Sequence, residues 1–280
     1  MPSCLFCKES NSRTVFTEFG TPYLKCCNCG HLYSSYESVE HYDGYFENQK
    51  DNEAAELFWD LAHKRMYSSF SKRYMAGMNG RILDVGAGLG FFVKFASAID
   101  GWEAFGVEIS PGGHRFATET LKLTNFYCGK LEDQPFEPGS FDIITLWDVI
   151  EHLKNPRPVI LKCRQLLKDG GILFMHTPNG EVQLAKAKIK KALFGEKEGT
   201  HFLEAKDHLH LYKEKSLRRI LEECGFRRTK LVHLPPIQAV AGKSGFLRLF
   251  LKNKWWFWSV AASKVTFGRL NWDNLFAEAR

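Results

Sequence analysis

Short apolar runs recur through the middle of the chain. Each is followed by a turn and then by a stretch with apolar residues at helical spacing. Ile82, Leu83 and Val85 predict a buried strand, and residues 89–99 the helix after it. Ala104–Ile109 predicts a second strand. Ser110 and Pro111 then start a helix, as a cap followed by proline in the first turn. A third short strand ends near Cys128, and Gln134–Gly139 is a loop. Phe141–Trp147 is the fourth strand, leading into Asp148–Leu153. A helix over 158–168 is closed by Asp169-Gly170-Gly171, and Ile172–Met175 is the fifth strand. Leu217, Ile220 and Leu221 mark a helix from Lys215 to Cys224, ended by Gly225. Phe226–Leu234 and Asn274–Ala279 are the last two strands. Strand and helix in alternation predict an α/β fold, with a parallel sheet covered on both faces. Upstream, Ala55, Phe58, Trp59, Ala62, Met66, Phe70 and Tyr74 predict a helix over about 52–77.

Two stretches do not fit the alternation. Residues 181–200 place Val182, Ala185, Ile189 and Leu193 on one helical face, with Lys186, Lys188, Lys190 and Lys191 largely elsewhere. Residues 241–270 carry Lys243, Arg248, Lys252, Lys254, Lys264 and Arg269 without one acid, together with Phe246, Phe250 and the run Trp255–Trp258. Both read as basic amphipathic insertions. One reading is a solvated helix and a helix packed on the sheet end. The other is docking on an anionic membrane surface, where basic residues meet headgroups and tryptophans lie at the interface.

Composition narrows the class only slightly. With 44% hydrophobic and 25% charged residues the chain is an ordinary globular one, and a net charge of +6 admits an acidic partner without requiring it. No run of about 18 apolar residues predicts a membrane span. Met1-Pro2-Ser3-Cys4 lacks a charged leader and an apolar core, so no export signal is expected. Five of the eight cysteines fall within the first 29 residues. Cys4, Cys7, Cys26 and Cys29 form two Cys-x-x-Cys pairs flanking residues 8–25, and Gly30 follows as a knuckle turn requires. That spacing predicts a zinc ribbon with a short hairpin between the pairs. Four thiolates leave no open coordination position, so the Zn2+ would be structural. Cys27 is a spare thiol. The same cysteine usage points to a reducing, cytoplasmic compartment, with the membrane reading adding a peripheral place at its inner face.

The chemistry centres on Asp84-Val85-Gly86-Ala87-Gly88-Leu89-Gly90. Glycines at alternate positions between a strand and a helix let a ligand approach the backbone closely. The dinucleotide fingerprint spaces its glycines G-x-G-x-x-G for a pyrophosphate, and this turn does not. Glu108 ends the next strand, where a carboxylate can accept both hydroxyls of a ribose.

The compact D-x-G-x-G-x-G turn resembles class I S-adenosylmethionine-dependent methyltransferases. The resemblance continues through Phe141–Leu153, Asn155-Pro156, Leu166–Gly171, Thr177-Pro178-Asn179, His208–Tyr212 and Cys224-Gly225-Phe226. It is nearest to small-molecule enzymes like those of the ubiquinone pathway and of surface glycans, some of which carry an N-terminal zinc ribbon. It implies a Rossmann-like, seven-stranded, mostly parallel sheet with its last strand antiparallel. It implies S-adenosyl-L-methionine contacts at Asp84, Gly86, Ala87, Gly88, Gly90, Glu108, Ile109, Leu131, Trp147 and Asp148. Related enzymes often have an Asp after the third strand, pairing with the adenine amino group. Lys130 stands there instead and cannot accept that hydrogen bond, which leaves the adenine to the backbone near Leu131 or to Glu132.

Methyl transfer from a sulfonium needs donor and acceptor held in line and, for a hydroxyl, a base. His152 is the first candidate, with Glu151 or Asp148 as orienting acid, and His208 the second. The resemblance does not point to His176 or His210. Tyr42 and Tyr45 are candidates to close over the cofactor. The resulting organisation is a zinc-ribbon module over 1–35, a linker and helix over 36–78, and a methyltransferase domain over 79–280 with insertions at 181–207 and 238–271. The expected reaction is O-methylation of a sugar nucleotide, a lipid-linked sugar or a quinone-like phenol. An rRNA methyltransferase is the alternative, suited by the basic charge. Against it, the Asn-Pro-Pro-aromatic turn of base-amino methylases is missing at Leu146–Val149. A non-catalytic scaffold is the second alternative, and the intact Asp84, glycines and Glu108 argue against it.

Overall fold

A computed structural model describes residues 3–37, 46, 60–197, 200, 202–238, 246–266 and 271–280. Its main sheet is built from β4 (Gly80–Val85), β5 (Trp102–Glu108), β6 (Phe126–Cys128), β7 (Phe141–Trp147), β8 (Leu167–Thr177), β10 (Thr229–Val232) and β11 (Leu275–Ala279). The order across the sheet is β10-β11-β8-β7-β4-β5-β6. Neighbours from β8 through β6 are parallel, and β11 runs antiparallel to both β8 and β10. This is the seven-stranded arrangement the resemblance implies. Its central strands are apolar because helices cover both faces: Leu83, Ile144, Leu146, Leu173 and Met175 are fully buried.

The helices that position the site follow the strands. They are α1 (Lys64–Tyr74), α2 (Phe91–Ser97), α3 (Pro111–Arg115), α4 (Arg157–Leu166), α5 (Gly180–Phe194), α6 (Glu214–Glu223) and α7 (Phe246–Val265). Ser110 caps α3 by accepting from the Gly113 N–H, and Pro111 occupies its first turn. The helix runs only to Arg115 before a wider π-turn over Phe116–Thr120. Three aromatic rings of the core, Phe70, Phe92 and Phe174, surround Trp147 with centroids 5.2–5.5 Å away.

Several expectations shift. Asp169-Gly170-Gly171 does not end an element. β8 runs through it, because Phe141 pairs with Leu167 and Ile143 with Ile172, so the intervening residues of β8 bulge out of register. Gly170 takes φ +78°, which a bulge favours and a side chain resists. Strand β10 spans only Thr229–Val232, since Phe226 instead packs in the core beside α6. The upstream helix is regular from Lys64 to Tyr74, and its expected start lies outside the described residues. In α5 the buried positions are Gly180 and Ala187, whereas Ile189 and Leu193 are 61% and 69% exposed. The apolar face read from the sequence therefore points outward.

The N-terminal segment forms a second sheet, β1 (Ser12–Glu18), β2 (Thr21–Cys26), β3 (Leu32–Ser34) and β9 (His210–Leu211). β1 and β2 are the expected hairpin. The fourth strand comes from far along the chain and pairs antiparallel with β3. Phe16, Tyr23 and Leu32 pack against Ala187, Leu203, Ala205 and Leu211 in one apolar cluster.

Candidate active site

At the carboxyl ends of β4, β5 and β7 lies a cavity of about 700 Å³. Its floor is the glycine turn. Gly88 (φ +54°) faces the cavity, and a Cβ there would meet nothing closer than the Phe46 ring at 3.5 Å. Gly90 (φ +85°) does not line the cavity but caps α2, and a Cβ would come within 2.8 Å of Leu123. The Gly88 N–H donates to Glu108 Oε2 at 2.7 Å, and the Ser110 N–H to Glu108 Oε1 at 2.8 Å. Burial raises the Glu108 carboxyl above its ordinary value, opposed by those N–H groups.

Asp84 is 3% exposed. Its Oδ1 accepts from Thr145 Oγ1 at 2.7 Å. Burial pushes this carboxyl up to about 8; the Thr145 hydroxyl works against the shift and the Glu108 charge adds to it. Among the described residues no cation compensates it. A carboxylate so placed, beside a glycine backbone open to the cavity, suits a ligand that brings its own positive charge. The donor implied by the turn carries an ammonium and a sulfonium, so these residues fit it. Trp147 forms one wall, and its buried Nε1 has no hydrogen-bond partner among the described residues.

The opposite rim is built from the loop after β7 and the segment before β9. Asp148 takes φ +52°, and its Oδ2 lies 3.0 Å from His176 Nδ1. His176 in turn meets Asn274 Nδ2 at 3.0 Å. Burial opposes the charge on Asp148, but the His176 ring beside it holds the carboxyl below its ordinary range. Glu151 is 1% exposed, does not line the cavity, and accepts from Thr177 Oγ1 at 2.9 Å. Burial and the Asp148 charge push it up to about 7. Neither acid is therefore the hydrogen-bond partner of His152, as the sequence suggested.

That partner is Asp207. His152 Nδ1 lies 3.3 Å from Asp207 Oδ1 and 3.2 Å from its carbonyl oxygen. Burial opposes charge on His152, yet Asp207 and Glu151 outweigh it and push the ring up to about 9. His208 packs edge-on against His152 with centroids 4.8 Å apart, and its Nε2 is 3.6 Å from Glu204 Oε2. Burial and the neighbouring His152 charge lower the His208 pKa. The surroundings thus favour the charged form of His152 and the neutral form of His208.

The cavity thus brings together Asp84, Gly86, Ala87, Gly88, Glu108, Ile109, Leu131, Trp147, Asp148, His152 and His208. Lys130 and Glu132 also line it. Sequence reasoning missed Asp207, Glu204, His63 and Tyr67 at this site. A Glu-x-x-Asp-His run just before the predicted His208–Tyr212 motif is the signal that could have drawn attention to Glu204 and Asp207. Tyr42 and Tyr45 lie outside the described residues.

On the ribbon, the sulfurs of Cys4 and Cys29 and those of Cys7 and Cys26 are 3.4 Å apart, and all four lie within 4.8 Å of one another. The Gly30 N–H donates to the Cys26 carbonyl at 3.0 Å, with Gly30 at φ +74°, closing the second knuckle. Four convergent, unbridged thiols are a donor set that can hold a metal ion. Cys27 is exposed and outside the set.

Comparison with known proteins agrees with this geometry. Residues 46–231 match the family model described as a methyltransferase domain. The chain is 30% identical over 155 residues to the ubiquinone biosynthesis O-methyltransferase of Colwellia psychrerythraea, covering 52% of this chain and 61% of that one. It is 26% identical over 194 residues to the enzyme of the same name from Vibrio parahaemolyticus, covering 63% and 80%. The chain thus spans less than two thirds of the former relative. Among solved structures, phosphoethanolamine N-methyltransferase 2 of Haemonchus contortus bound to S-adenosyl-L-methionine has the same fold. Its TM-score is 0.54 at 16% identity, over 89% of this chain and 61% of that one. The chain therefore belongs to the methyltransferase-domain family and has the fold of its S-adenosylmethionine-dependent members.

Proposed function

We propose that the chain transfers a methyl group from S-adenosylmethionine to a hydroxyl of a quinone-like phenol. The observation that carries this reading is one cavity with two chemically different ends. Asp84, Gly88 and Glu108 stand at one end, and His152, Asp207 and His208 at the other. The bound donor supplies an electrophilic methyl on a sulfonium. Asp84 and Glu108 would hold its charged and hydroxyl-bearing parts, while the Trp147 and Phe92 wall excludes water from the transfer. A phenol keeps its proton until about pH 10 and needs help to lose it at neutral pH. His208, uncharged there, takes the proton. His152, charged through Asp207, favours the phenolate that results. This reverses the order in which the sequence ranked the two histidines. The relatives' names support a phenolic acceptor over a sugar nucleotide. Incubation with S-adenosylmethionine and a prenylated catechol, read by mass spectrometry, should yield a mono-methyl ether. Methylation of RNA or of a sugar nucleotide with the catechol untouched would overturn the reading.

The four cysteines hold a structural Zn2+, because four thiolates complete a tetrahedral shell and leave nothing open for substrate. The outer face of α7 docks on an anionic membrane. Ser259 and Ser263 point inward, with Ser259 accepting from the Trp272 N–H at 3.1 Å and Ser263 meeting His233 Nε2 at 3.0 Å. Leu251, Phe257 and Trp258 are 56–63% exposed beside Lys254 and Lys264. A helix with serines inside and aromatics outside suits an interface that is apolar and anionic together. No described helix is long and apolar enough to cross a membrane.

A further inference from the structure

The ribbon is held by Arg157 and Arg219 on the Leu5 and Phe6 carbonyls and by Lys191 on the Thr17 carbonyl. Most of its hydrogen bonds to the rest of the chain, however, fall on residues 202–211, the segment that carries Glu204, Asp207 and His208. Glu18, at the end of β1, is 5% exposed. Its Oε1 accepts from the Phe202 N–H at 2.8 Å and the Leu203 N–H at 3.2 Å, and its Oε2 from the Ala205 N–H at 2.8 Å. Tyr23, in the middle of β2, is fully buried. Its hydroxyl lies 3.0 Å from the Leu203 carbonyl and 2.9 Å from that of His208. Ser34 Oγ donates to the Ala205 carbonyl at 2.5 Å, and β3 pairs with β9, the last two residues of the segment. From the other side the His210 N–H donates to the Glu151 carbonyl at 3.0 Å. A loop with few hydrogen bonds of its own is thereby fixed at both ends and along its middle.

A buried carboxylate accepting three backbone N–H groups is a costly arrangement to build by accident. It orders a loop that would otherwise sample many conformations. We propose that the cysteine ribbon is a clamp for the acceptor side of the active site, with Glu18 and Tyr23 as positioning residues that set where Asp207 and His208 stand. The proposal rests on the reading of those two residues and His152 as the acceptor-side machinery. It gives the ribbon a role within the chain's own chemistry.

The test uses Glu18→Gln and Tyr23→Phe in the full chain, with Ser34→Ala as a milder third variant. Tyr23→Phe keeps the buried ring and removes only the hydroxyl. Glu18→Gln puts an N–H donor where one of the backbone N–H groups points. Hydrogen exchange of 202–211 should quicken at least tenfold in the first two. With S-adenosylmethionine and a prenylated catechol, kcat should fall roughly 10- to 100-fold, because a misplacement of about 1 Å costs that much. Donor affinity, measured by calorimetry, should change less than about twofold, since Asp84 and Glu108 lie at the other end. Unchanged exchange in all three variants overturns the clamp. So does faster exchange with unchanged kcat. His152→Ala and His208→Ala separate the two ideas. If these abolish turnover while Glu18→Gln and Tyr23→Phe leave kcat intact, only the clamp fails; if the histidine variants turn over normally, the reading beneath it fails.

Discussion

A carboxyl with a pKa near 8, as at Asp84, has a binding consequence that can be measured. At pH 7 it is mostly protonated in the free protein, and a cationic donor bound beside it favours the ionised form. Donor binding at pH 7 should therefore release about one proton, visible as a dependence of calorimetric heat on buffer ionisation enthalpy. Asp84→Asn should abolish that release and weaken donor binding roughly 10- to 100-fold, the loss of a charge-assisted contact. Stability follows the same sign. Asp84 and His152 both have folded-state pKa values raised above their ordinary ones, to about 8 and about 9. Each contribution is full below the ordinary value and is lost as pH rises through the raised one. Thermal stability of the donor-free protein should thus decline from about pH 4 to about pH 9, most steeply between about pH 6.5 and pH 8 where both groups contribute. A melting temperature that rises across that window would contradict both assignments. Catalysis separates the histidines. With His208 as base, kcat/KM against pH should be level from pH 7 upward until His152 loses its proton near pH 9; with His152 as base it should climb toward that pH.

At the scale of elements, the strand–turn–helix at residues 80–97 behaves as local rules require, and α7 does not. Strand β4 is apolar where helices cover it, and the turn after it needs positive φ where the glycines stand. In α7 Leu251, Phe257, Trp258 and Val265 face out while Ser259 and Ser263 face in, which no rule of amphipathic folding into a core explains. If that face meets lipid, Phe257→Ser with Trp258→Ser should reduce co-sedimentation with anionic phosphatidylserine vesicles severalfold and leave the melting temperature within about 2 °C. Equal sedimentation of the variant would remove the membrane from the account. Bulging strand β8 belongs at this scale too. Its Asp169-Gly170-Gly171 reads as a terminator in isolation, and pairing with β7 carries the strand through it.

The described residues form two sheets that share the segment 202–211 and meet again at Arg157, Lys191 and Arg219. Removing the metal that four convergent thiols would hold should therefore be felt at a distance. Chelation, or Cys4→Ser with Cys29→Ser, should lower the melting temperature by several degrees and loosen 202–211 in hydrogen exchange; exchange confined to residues 3–34 would show two independent units. Most of the main sheet was legible in the chain: strand–helix alternation, the turn at Asp84–Gly90, Glu108 at the end of β5 and the paired cysteines are all local patterns. They depend on residues near one another in sequence, so the sequence by itself determines them, together with the family and the glycine-turn end of the cavity. What it could not reveal depends on contacts between distant residues. Asp207, rather than Glu151, reaches His152 because 202–211 folds back over the loop after β7. The preference of His152 for its charged form and of His208 for its neutral one follows from that neighbourhood. β9 completes the ribbon's sheet from the far end of the chain. Pairing and burial across such separations leave no periodicity to read. The histidine end of the cavity therefore took its form only when the tertiary structure brought the ribbon, the segment and the sheet together.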